Sequence, residues 1–317
     1  MKLLKVIVVL LLAVSANGQE ILPPSLDSAI QFGSNRSIGP QLASLRRKAE
    51  RGDSKAQLLV GAAYQFGLGT DPDYKKASNW YRKAADAGLP EAQEKMGLMY
   101  LTGSGVERNY DLALRWLLRA ASQGDAAAQV NLSFMYSHGV GVPESSVEAF
   151  RWMSKAAGRG LPPADSTLAD MYEAGFGVER SFEKALSYYR KAARAHYGPA
   201  ENGLGVMYFC GEGVRQDFRE SAYWYRRATA DHSTVAEVNL ALAYEHGFGV
   251  SKNSAEALRL YQDAAADGSA VAQNRLALPF ESDVDHIVRN SGSVTVASYN
   301  LESRIRNPEV KCAPYIK

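Results

Sequence analysis

Small and apolar residues return along this chain at two spacings at once. Over short distances they fall three and four apart, as Ala56, Val60, Ala63 and Tyr64 in one segment and Ala77, Trp80, Tyr81 and Ala84 in the next. That is the period of a helix burying one face. Over longer distances the whole pattern returns every 36 residues. Tyr64, Tyr100, Tyr136, Tyr172, Tyr208 and Tyr244 form one column. Two Gly columns start at Gly67 and Gly69, and an Ala column starts at Ala56. Four unbroken columns in one period define a tandem repeat. Six units follow, at 54–89, 90–125, 126–161, 162–197, 198–233 and 234–269.

Each unit reads as a helix hairpin. The first helix, near 54–66, ends at Gly-x-Gly, where glycine accepts the left-handed geometry of a helix C-terminus. The second, near 74–87, carries an aromatic stripe that Trp116, Trp152, Tyr188 and Trp224 repeat from Trp80. The Gly-x-Gly pairs follow helices and not strands, which argues against phosphate loops. An array of this kind needs ends that do not bare an apolar face. Residues 40–53 supply an N-terminal capping helix and residues 270–278 a C-terminal one. A linker at 19–39 precedes the array, and a tail at 279–317 leaves the period; its stretch SVTVASYNL (293–301) alternates as a strand does.

Charge and the N-terminus narrow the setting. Lys and Arg number 36 against 34 Asp and Glu, a net +2 that points to no nucleic acid and no anionic membrane. Lys2 and Lys5 precede an unbroken apolar run, Val6 to Val14, which is too short to span a membrane. Residues 1–18 therefore read as a secretory signal peptide, cleaved after Ala16 or Gly18. The expectation is an exported protein, periplasmic or secreted, with no transmembrane anchor in the mature chain.

Candidate chemistry is sparse. SFEKALSYYRKAA (181–193) holds Ser181 three residues before Lys184, the spacing of a nucleophile and its base in serine β-lactamases. Ser181 also stands in a column of Asp73, Asn109, Ser145, Asp217 and Asn253. All six are short oxygen acceptors suited to capping a helix N-terminus, so Ser181 reads as a cap. Met99, Met135, Met171 and Met207 fall on the packed stripe and read as core filling. His196 and His232 replace a helix-ending Gly. The five histidines have no partners at ligand spacing, so no metal site, cofactor or catalytic set is expected.

AAAQVNLSFMYSHGVGV (126–142) and KASNWYRKAADAG (76–88) resemble the Sel-one-like repeat family, related to tetratricopeptide arrays. The resemblance covers about two thirds of the chain. It implies an all-α fold, a right-handed α/α superhelical solenoid of six 36-residue hairpins with terminal capping helices. It also implies a non-enzymatic adaptor for a protein or peptide partner, in bacterial envelopes or in host interaction. Some relatives are exported and described as β-lactam-hydrolysing. An envelope hydrolase, related to β-lactams or peptidoglycan, or a glycan-binding protein is therefore an alternative, and a secreted effector acting on a host protein is another.

In such a stack the first helices line the concave side. A helical wheel at about 100° per residue turns positions equivalent to 58, 62, 65 and 66 away from the packed stripe. Leu98, Phe134, Asp170, Val206 and Leu242 fall in the column of Ala62, with Phe66, Leu101, His138, Phe209 and Cys210 nearby. These residues are the candidate partner groove, the competing reading being that neighbouring first helices bury the strip. The chain has two cysteines, Cys210 and Cys312. An oxidising compartment favours pairing them across the groove; the other reading leaves two separate thiols.

Overall fold

The computed structural model describes residues 38–231 and 233–277. The expected signal peptide, the linker before residue 38, His232, Cys312 and the strand-like stretch at 293–301 lie outside the described residues. Fourteen α-helices, one 3-10 turn (Thr229–Asp231) and no strand make up the described residues. They divide into two compact units, Met1–Arg180 and Ser181–Lys317. The first holds α1 (Ile38–Glu50), α2 (Ser54–Phe66), α3 (Tyr74–Asp86), α4 (Pro90–Thr102), α5 (Tyr110–Ser122), α6 (Ala126–His138), α7 (Ser146–Ala157) and α8 (Pro162–Ala174). The second holds α9 (Phe182–Ala193), α10 (Gly198–Cys210), α11 (Phe218–Ala228), α12 (Thr234–His246), α13 (Ser254–Ala266) and α14 (Ala270–Leu276). In each unit consecutive helices pack in antiparallel pairs and the pairs stack, which makes the chain an all-α solenoid.

The Ala columns explain the close packing. Ala77, Ala84, Ala113, Ala120, Ala149 and Ala156 are fully buried, so second helices approach their neighbours at the distance a methyl allows. Larger side chains then fill what remains: Tyr81, Leu117, Met135 and Leu168 in the first unit, Tyr189, Leu204, Met207 and Tyr261 in the second. All four methionines of the column are buried. A buried unbranched thioether adapts to gaps that differ slightly from repeat to repeat.

The loops are fixed by backbone and caps. Each second helix opens with its cap in extended geometry. The side chains of Asp73, Asn109, Ser145, Ser181, Asp217 and Asn253 each accept a backbone N–H from the first turn. Ser181 Oγ accepts from Lys184 N at 3.3 Å. The cap's own N–H donates back to the Tyr column: Asp73 to Tyr64 O at 2.7 Å, Asp217 to Tyr208 O at 2.9 Å. The Tyr hydroxyls accept from the preceding second helix, Tyr208 from Arg190 and Tyr244 from Arg226, each at 3.0 Å, and Arg46 and Arg82 reach Tyr64 and Tyr100 in the same way. One residue type thus ties a hairpin's loop to its neighbour.

Two positions show why the columns need their residues. His196, at a position that is Gly in four of the six repeats, has φ 57, in the left-handed region. From the second repeat onward the second Gly of the turn sits on the preceding repeat: a methyl on Gly177 would come within 2.0 Å of Ser146 O. The sequence reading assigned both glycines of the pair to helix termination; the second also permits the stacking contact.

Candidate partner-binding face

The strip expected to face solvent is mostly covered. In the first unit Leu58 is 5 % exposed, Ala62 2 %, Leu101 3 % and Phe134 8 %. Phe66 and Leu98 are half-buried, and His138 and Asp170 are exposed. In the second unit Val206, Phe209, Leu242 and Cys210 are all half-buried. The expectation of an open apolar strip is therefore corrected at Leu101 and Phe134, which are core. Adjacent first helices also touch one another. Asn131 Nδ2 on α6 donates to Glu94 Oε1 on α4 at 3.1 Å, and Asn239 Nδ2 on α12 donates to Asn202 Oδ1 on α10 at 2.9 Å. A wheel drawn for one helix does not register its neighbours.

What remains in each unit is a set of half-buried apolar side chains on the first helices. Phe134 lies under His138, with ring centroids 4.4 Å apart, so the exposed imidazole caps a buried ring. His138 Nδ1 lies 2.7 Å from Ser137 Oγ and 3.1 Å from Phe134 O, which orients the ring along the helix end. In the second unit Phe209, Phe218 and Phe248 pack on one another.

A second row was missed. The residue after each column Ala is polar and buried: Gln57, Gln93, Gln129, Asp165, Glu201 and Glu237. The Gln57, Gln93 and Gln129 amides donate to Ala49 O, Ala85 O and Ala121 O, at 3.0, 3.2 and 3.2 Å, and so satisfy carbonyls at the end of the previous second helix. Glu201 takes another solution: Arg227 Nη2 reaches it at 2.6 Å, with His196 Nδ1 4.0 Å away. Glu245 likewise accepts from the Tyr261 hydroxyl at 2.9 Å and from Arg275 Nε at 3.1 Å, pinning α14 to the array. An all-polar column beside an all-Ala column was the signal available in the sequence.

Electrostatics follow this burial. Asp125 caps α6, accepting from Ala128 N at 2.7 Å, but burial and the nearby Glu94 and Glu91 raise its carboxyl to about 6. Burial also raises the Tyr225 and Tyr261 hydroxyls, the latter further by Glu245. Among the described residues no His, Cys, Asp and Glu group is arranged to hold a metal ion. The described helices include none long and apolar enough to cross a membrane. Ser181 Oγ is held in its capping bond, with no base brought to it by that contact.

The architecture defines a class, an all-α array of helix hairpins with two-helix repeats. The chain belongs to the Sel1 repeat family, whose model matches residues 54–89, 90–125, 126–161, 166–197, 198–231 and 234–269. A crystal structure of a protective antigen present in uropathogenic Escherichia coli strains, displaying an SLR fold, is 36% identical with a TM-score of 0.68. It covers 74% of this chain, and this chain spans 50% of its length. A Sel1 repeat protein from Oxalobacter formigenes is 32% identical with a TM-score of 0.65, covering 68% of this chain and 89% of its own. Comparison with curated proteins gives no match. Sel1 repeats generally mediate protein–protein interaction as scaffolds.

Proposed function

We propose that this protein is an exported, non-enzymatic adaptor that holds a protein or peptide against its first-helix face. The observation that carries this reading is the half-buried apolar residues left on the first helices of each unit, Phe66 and Leu98 in the first and, separately, Val206 and Leu242 in the second. Such residues gain further burial when a partner covers them, at about 25 cal/mol per Å² of apolar area. A helix or an extended peptide anchored by apolar side chains suits such residues. Capping by Ser181 supports the non-enzymatic part, because its oxygen is used by the fold. The apolar segment Val6 to Val14 behind Lys2 and Lys5 supports export. The Escherichia coli relative, described as a protective antigen, fits an exported setting.

The test compares full-length wild type with Leu98→Asp and Leu242→Asp in capture from the exported fraction. Expected is a protein retained by wild type and lost from both variants at unchanged helical circular dichroism. Recovery of the protein only in the cytoplasm, or equal capture by all three, overturns the reading.

A further inference from the structure

Cys210 closes the last turn of α10, is half-buried, and is disulfide-bonded. Beside it an aromatic patch joins two successive repeats of the second unit. Phe209 has its ring centroid 5.1 Å from that of Phe218 and 5.5 Å from that of Phe248. Phe218 and Phe248 are 5.3 Å apart, and His246 stands 5.5 Å from Phe248. All four rings are half-buried. Rings that pack on one another at a surface offer both apolar area and edge-to-face sites to an incoming chain.

We propose that this patch is the docking site of the chain's own C-terminal segment, residues 278–317, held there by a disulfide between Cys210 and Cys312. Three observations carry it. Cys210 has a disulfide partner, and Cys312 is the other cysteine of the sequence. The segment is long enough: α14 ends at Leu276 in the same unit, and the residues up to Cys312 extend to about 110 Å. Crossing back over one and a half repeats takes about 30 Å, at roughly 10 Å per helix. The segment's chemistry also matches. Val310, Pro314, Tyr315 and Ile316 flank Cys312 and are apolar or aromatic, as the patch is.

The inference does not depend on the partner reading, since the occupant belongs to the molecule itself.

Full-length protein purified without reductant decides it. Peptide mapping is expected to find one cross-linked peptide joining Cys210 to Cys312, in a monomer. Hydrogen exchange is expected to be several-fold faster around 205–212 and 244–250 after reduction and in Cys312→Ser, with the first unit unchanged. Four results overturn the proposal: quantitative alkylation of both cysteines without reductant, any interchain cross-link at Cys210, exchange unaffected by reduction, and a rise spread evenly over all helices.

Discussion

A methyl group on Gly249 would stand 1.9 Å from the carbonyl oxygen of Phe218, so the turn of one repeat rests directly on the backbone of the repeat before it. Gly247, two residues earlier, has a similarly positive φ but its nearest neighbour would be 3.6 Å away. Both positions penalise a side chain by roughly 1 kcal/mol for left-handed geometry. Only Gly249→Ala adds a collision with backbone that cannot move aside. Denaturant titration is expected to show Gly249→Ala losing at least about 2 kcal/mol more than Gly247→Ala, in the range of core overpacking. Equal losses would show that the repeats slide apart without cost.

Phe134 and Leu98 occupy the same column but different environments, one 8 % exposed and the other half-buried. Phe134→Ala is expected to cost about 3 to 4 kcal/mol, the price of an emptied core site. Leu98→Asp is expected to leave the fold cooperative and helical. Thermal melts followed by circular dichroism separate the two; a full unfolding by Leu98→Asp would place that position in the core as well.

Glu201 is buried and held by Arg227 at 2.6 Å, where the first three repeats use a glutamine amide. Arg227→Ala strands a carboxylate and is expected to cost about 2 to 3 kcal/mol, somewhat below a fully buried pair because Arg227 is partly exposed. Glu201→Gln in the same chain is expected to recover most of that loss. A double-mutant cycle in urea measures the coupling, and additive losses would rule out the substitution of one device by the other.

Asp125 titrates at about 6, raised from 3.8 by burial and by Glu94 and Glu91. Between those two values the folded chain keeps a proton that the unfolded chain has released, so this group's contribution to stability falls as pH rises through the window. Asn caps a helix as well as Asp does. Asp125→Asn is therefore expected to raise the melting temperature at pH 7 and to match wild type at pH 4. A gain of equal size at both pH values would show that the charge is not the cause.

Ser181 accepts from Lys184 N as the other five caps accept from their own first turns. Ser181→Ala is expected to cost about 1 kcal/mol and Ser181→Asp almost nothing. Labelling of Ser181 by a β-lactam or a fluorophosphonate would identify it as a nucleophile instead.

The sequence by itself determined the repeat, the two helices of each unit and the caps that open the second ones. These are local: periodicity, glycine geometry and a side chain reaching its own backbone need no knowledge of neighbours. The column at Ser181 was legible for that reason, since Asp, Asn and Ser share one capping geometry and no nucleophilic chemistry. The tertiary structure alone decided the far side of the first helices. Leu101 and Phe134 are buried in the stacked array, where adjacent first helices touch at Asn131 and Glu94, and a single-helix wheel does not register neighbouring helices. The same holds for the second Gly of each turn and for the polar column from Gln57 to Glu237. Their partners lie on the preceding repeat or on another helix, so their roles arise only once the hairpins stack.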